Sequence, residues 1–107
     1  MIQVGFLTPP DGRILGFRME GHAGWGQEGT DIVCAAVSSA AYLVVNTATD
    51  VLGVAPLSLR VQEGELFFRV EPKDEPVCRT LLRGLKLHLG QLEEQYPEHI
   101  KVDYVEI

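Results

Sequence analysis

This sequence predicts an α+β fold: a two-layer sandwich of a five-stranded mixed or antiparallel sheet with two helices on one face, in the order β-β-α-β-β-α-β. Three observations lead there. Five short segments alternate apolar and polar residues at the period of a half-buried strand. Two longer segments, about 32–52 and 74–96, repeat apolar residues at helical spacing. Turn chemistry at Pro9-Pro10-Asp11-Gly12 and Glu63-Gly64 joins four of the strands into two hairpins. The 107 residues make one domain, 1–107, large enough to bury about two-thirds of its unfolded surface.

Each element has its own justification. Ile2, Val4 and Phe6 share one side of a first strand over 2–7. A second strand, about Arg13 to Glu20, turns Leu15, Phe17 and Met19 one way. Four glycines fall within residues 21–29, the composition of a loop that approaches other backbone closely. Thr30 or Asp31 then caps a helix running from about Ile32 to Leu52, which stops near Gly53 with Pro56 beyond. Leu57, Leu59 and Val61 alternate, and Leu66, Phe68 and Val70 answer them across the second hairpin. Asp74, Glu75 and Pro76 open the second helix, since acids and an early proline suit a first turn. Cys78, Leu81, Leu82, Leu85, Leu89, Leu92 and Tyr96 form its apolar face, Pro97 ends it, and Ile100, Val102 and Tyr104 give the last strand. The sheet's other face carries Gln3, Arg18, Arg60, Gln62 and Arg69, interrupted by Leu7, Ile14 and Phe67.

Composition narrows the function classes. A net charge of −6 with nine scattered basic residues argues against direct nucleic-acid binding, which needs clustered Lys and Arg against phosphate. A basic protein or peptide suits this surface better. The longest apolar stretch, Ile32 to Val45, is short of the roughly 20 residues a bilayer needs, so it reads as a core helix and no membrane partner is expected. The chain opens directly on strand alternation without a charged leader and apolar block, and its two cysteines make a poor disulfide framework. A cytoplasmic protein with reduced thiols is expected. Without CxxC, CxxH or HExxH, no metal or other cofactor is expected either. The bare GxGxxG spacing of Gly24–Gly29 lacks the strand-helix-strand context of a dinucleotide site.

The chemistry concentrates in residues 21–38. His22 stands where a strand meets the glycine loop, and Cys34 falls in the expected opening turn of an apolar helix. Asp31, Cys34, Ser38, Tyr42, Asn46 and Thr49 form a narrow polar seam on that helix. A helix start favours negative charge by roughly 0.3–1 kcal/mol, too little alone to make a strong nucleophile. His22 is the available second activator: an imidazole within hydrogen-bond reach of the thiol makes the pair used in cysteine acyl transfer, with main-chain N–H groups near Cys34 serving an oxyanion. The plainer alternatives are a buried core cysteine, a surface histidine, Asp31 as helix cap, and Ser38 bonding a backbone carbonyl.

The run Gly21-His22-Ala23-Gly24, then Gly29, then Asp31-Ile32-Val33-Cys34-Ala35-Ala36-Val37-Ser38, resembles the signature of the ribosomal-processing cysteine protease family, Prp. The close resemblance covers about residues 20–50. It implies a cysteine endopeptidase that removes an N-terminal extension from a large-subunit ribosomal protein, cutting after an aromatic residue, and it implies a homodimer. By matching position it makes Cys34 the nucleophile and His22 the general base and acid, with Asp31 and Ser38 in support and Gly21, Gly24 and Gly29 in the loop that meets substrate. Two other readings stand beside it. One is a non-catalytic ribosome-assembly factor holding a basic ribosomal protein. The other is a redox-sensing thiol, for which Cys78, on the leucine face, is a poor resolving partner.

Overall fold

Alternation along the strands builds the sheet. The computed structural model describes residues 1–21 and 28–107, with side chains for 1–21 and 32–107. Strands β1 (Ile2–Thr8), β2 (Gly16–Glu20), β3 (Ser58–Gln62), β4 (Glu65–Arg69) and β5 (Ile100–Glu106) form one sheet in the order β3-β4-β2-β1-β5. β1 and β5 run parallel, and the remaining pairs are antiparallel. Helices α1 (Glu28–Asn46) and α2 (Glu75–Gln95) cover one face, so the two-layer α+β architecture stands as the sequence predicts.

The register puts the largest apolar residues in one cross-strand row. Phe6 lies opposite Phe17, and Phe17 opposite Phe68. Their ring centroids are 6.3 and 5.9 Å apart in tilted geometry, which aromatic quadrupoles favour. All three rings are fully buried. Helix α1 contributes Val33, Val37, Ala41, Val44 and Val45 to this core, and α2 contributes Cys78, Leu82, Leu85 and Leu89 at three- and four-residue spacing. The Cys78 thiol is buried, and its pKa is pushed up by desolvation first and by the Asp74 and Glu75 charges second.

Two boundaries differ from the sequence expectation. β2 begins at Gly16, three residues later than predicted, and Ile14 rather than Leu15 joins the main core. The strand opens on a close approach that only glycine allows: a Cβ on Gly16 would lie 1.9 Å from the Phe68 carbonyl oxygen. Leu15 stays buried outside that core, its N–H donating to Leu7 and its carbonyl accepting from Val70. Leu7 is buried as well, and Arg60 lies over the Phe67 ring at 5.1 Å, so the three supposed interruptions of the outer face are largely absorbed.

Helix α1 begins at Glu28, four residues before the expected start. Thr30 and Asp31 therefore lie within its first turn instead of capping it. At its other end a π-helical turn over Thr47–Val51 carries the chain to Gly53, whose positive φ of 71° ends the run where expected. Ile32–Val51 forms a 20-residue stretch of mean hydropathy 1.6, long enough to cross a bilayer, which the shorter apolar run did not reveal. In this fold its inner face is committed to the protein core through Val33, Val37 and Ala41.

Candidate active site

Helical geometry sets the reach of α1. Cys34, Ser38 and Tyr42 follow at four-residue intervals, so they stack turn upon turn along one flank. That flank faces the end of the sheet where β1 begins, β2 finishes and β3 turns into β4. The result is a recess of about 210 Å³ lined by Cys34, Ser38 and Tyr42 on one wall. Gln62, Glu63, Gly64 and Glu65 of the β3–β4 turn form the opposite wall. Ile2, Met19 and Leu66 lie between them as an apolar floor, and Gly21 closes one end. Ile2 and Leu66 are fully buried, which fixes that floor in the core.

Cys34 is half-buried, packed against the core on one side and open to the recess on the other. It is not the inert core residue that Cys78 is. The Ser38 and Tyr42 hydroxyls have no hydrogen-bond partner among the described residues, so both are available to a bound molecule. The plainer reading of Ser38, bonding a backbone carbonyl, is not what those residues show. Thr47 and Thr49, farther along α1 and its π-turn, do make that bond, to Leu43 and Val45.

Gly21 is held firmly. Its N–H donates to the Gly64 carbonyl at 2.9 Å, its φ is 94°, and a Cβ there would meet the Met1 carbonyl oxygen at 2.5 Å. This closely packed end of β2 delivers the chain to the edge of the recess. The next residue is His22, which lies outside the described residues, as do Gly24 and Trp25. Gly29 belongs to the backbone of α1 and not to a loop, and the Asp31 side chain lies outside the described set.

The earlier helix start changes the electrostatics expected at Cys34. Cys34 is in the second turn, and the end of α1 lies about 9 Å away at 1.5 Å per residue. Helix-end stabilisation of charge falls off within the first turn, so activation rests more heavily on an imidazole partner than the sequence suggested. Interior position also means that the Cys34 N–H has an acceptor one turn back. The free N–H groups of α1 are those of its first turn, so the Cys34 N–H itself is not one of them. Among the described residues, no cluster of three or more His, Cys, Asp or Glu is arranged to hold a metal.

Sequence reasoning did not single out the β3–β4 turn as part of a site. Glu63-Gly64 carried only a turn signal, and nothing local to it announces Cys34 as a neighbour. Tyr42 was legible as a member of the polar seam, without a role.

An accessible thiol at the edge of a recess is an arrangement that a thiol peptidase could use. Comparison with known proteins agrees: the chain belongs to the family described as cysteine protease Prp, whose sequence profile matches residues 1–101, and it is a cysteine endopeptidase. The ribosomal processing cysteine protease Prp of Bacillus subtilis (strain 168) is 29% identical over 107 residues, covering 95% of this chain and 96% of that one. The crystal structure of an essential ribosomal processing protease Prp from S. aureus in complex with a substrate peptide superposes with a TM-score of 0.87 at 26% identity, covering 98% of this chain and all of that one. The S. aureus protease with a covalently linked product peptide gives 0.85 at 27% identity, again over 98% of this chain and all of that one.

Proposed function

We propose that this protein removes the N-terminal extension of a large-subunit ribosomal protein, with Cys34 as nucleophile and His22 as its general base and acid. The observation that carries this reading is the half-buried Cys34 thiol on a recess that Gly21, the residue before His22, also lines. The relatives' names supply the substrate class, and the S. aureus protein was crystallised with a substrate peptide.

In the proposed mechanism the peptide lays a side chain into the recess and brings its scissile carbonyl to Cys34. His22 takes the thiol proton, and the sulfur attacks the carbonyl carbon. Main-chain N–H groups close to the attacking sulfur meet the oxyanion. The C–N bond breaks as His22 returns the proton to the leaving amine. Water, deprotonated by His22, then hydrolyses the thioester and frees the thiol. Asp31 and Ser38 support this chemistry, Asp31 by orienting His22 and Ser38 by bonding the peptide. Gly24 and Gly29 complete the substrate-meeting segment.

The enzyme works in the cytoplasm as a homodimer. Exposed Leu57, Leu59 and Val61 favour a second copy covering the β3 edge. The acidic net charge of −6 favours a basic ribosomal-protein substrate. Incubating the purified protein with the extended ribosomal protein and weighing the products tests the reading. A shortened product with a single new N-terminus is expected. A stable complex with no product would favour the non-catalytic assembly factor instead.

A further inference from the structure

Among the described residues, Tyr42 is the aromatic side chain that lines the recess, and it stands apart from the core cluster. It lies two turns beyond Cys34 on α1, about 12 Å along the axis at 1.5 Å per residue. Its side chain is 41% exposed, and its hydroxyl has no partner among the described residues. Core packing therefore does not account for a large ring at this position. Part of the recess is fixed: Ile2 and Leu66 are buried in the sheet, and Gly64 is tied to Gly21 by a main-chain hydrogen bond. In a space of about 210 Å³ with a fixed floor, one ring on the wall decides how long a side chain enters.

We propose that Tyr42 is the specificity-determining residue of this site: its ring bounds the recess at the end away from Cys34 and sets the size of the substrate side chain accepted beside the scissile bond. This rests on the protease reading above, with the recess holding the side chain whose carbonyl Cys34 attacks. The ring acts by size and its hydroxyl is secondary, because the floor beneath it, formed by Ile2, Met19 and Leu66, is apolar. Hydrophobic pockets discriminate modestly, by about 10–200-fold per methylene, so the effect belongs in ratios of kcat/KM and not in total loss of activity.

The test uses the full chain and four peptides that differ only in the residue before the cut: Ala, Leu, Phe or Trp. Wild type, Tyr42→Phe, Tyr42→Ala and Tyr42→Trp are compared by kcat/KM, with thermal melting to confirm folding. Tyr42→Phe should keep the wild-type ranking. Tyr42→Ala should raise the Trp-to-Phe ratio by about tenfold or more. Tyr42→Trp should move the ranking toward Leu and Ala, an opposite shift that serves even where the alanine variant folds poorly. The same ranking in all four proteins overturns the role of Tyr42 while leaving the protease reading intact. Failure of wild type to cut any of the peptides, or the extended ribosomal protein, overturns both.

Discussion

Gly21 donates its main-chain N–H to the carbonyl oxygen of Gly64 at 2.9 Å, and both residues hold positive φ, 94° and 75°. This bond ties the end of β2 to the β3–β4 turn at the margin of the Cys34 recess. Two segments far apart in sequence are thereby fixed where one carries the chain to His22 and the other forms a wall of the recess.

Gly21→Ala should damage both stability and cleavage. A non-glycine residue in the left-handed region costs about 1–2 kcal/mol. The added Cβ would also lie 2.5 Å from the Met1 carbonyl oxygen, which is backbone and yields poorly. A fall in melting temperature of roughly 5–15 °C is expected. Cleavage measured well below that temperature should also drop, because the chain leading to His22 is displaced. Unchanged melting would contradict the close packing described for this corner.

The two thiols should separate cleanly under alkylation. Cys34 opens onto the recess, whereas Cys78 is buried with its pKa raised by desolvation and by the neighbouring Asp74 and Glu75 charges. Mass spectrometry after iodoacetamide treatment of the native protein should find one adduct, at Cys34, and a second only in denaturant. The sign of the linkage follows from the raised pKa. Cys78 stays protonated in the folded state after the unfolded chain has begun to ionise, so its contribution to stability is whole below the unfolded thiol pKa. That contribution is lost as pH rises toward the folded value.

An acid-sensitive contact lies at the start of α2. Glu75 is buried, and Arg79 donates to both of its carboxylate oxygens at 2.6 and 2.8 Å. Those hydrogen bonds hold the Glu75 pKa below its ordinary value, against the opposing effect of desolvation. A depressed carboxylate contributes stability above its unfolded pKa and loses it as pH falls through the folded one. Arg79→Ala should therefore cost about 1–3 kcal/mol at neutral pH, by leaving a buried carboxylate without its donors. The penalty should shrink in acid once Glu75 is protonated in both proteins. Urea unfolding at several pH values measures it, and a penalty independent of pH would contradict the assignment.

The sheet was legible because its strands alternate apolar and polar residues, as β4 does with buried Leu66 and Phe68, even though β1 is buried on both sides from Val4 to Leu7 and edge strand β3 is largely exposed. β2 misled at its start because Leu15, which alternates in phase with Phe17, bonds to Leu7 and Val70 ahead of the strand, and Ile14 joins the core instead. The start of α1 misled because Gly29, Thr30 and Asp31 carry loop and cap chemistry, yet lie within the helix. At the site, Cys34, Ser38 and Tyr42 were visible as one seam because they belong to one helix. Glu63, Gly64 and Leu66 were not, since only the sheet register brings that turn to the thiol.

The central claim is that the Cys34 sulfur, with a proton path through His22, breaks the peptide bond. The most direct test follows cleavage of the extended ribosomal protein by mass spectrometry with purified wild type, Cys34→Ala and His22→Ala, each confirmed folded by thermal melting. The account predicts no product with Cys34→Ala and a rate about 10²–10⁴-fold lower with His22→Ala, the usual worth of a positioned acid–base group. Both variants should melt near the wild-type temperature. Product formation by Cys34→Ala at the wild-type rate would contradict it.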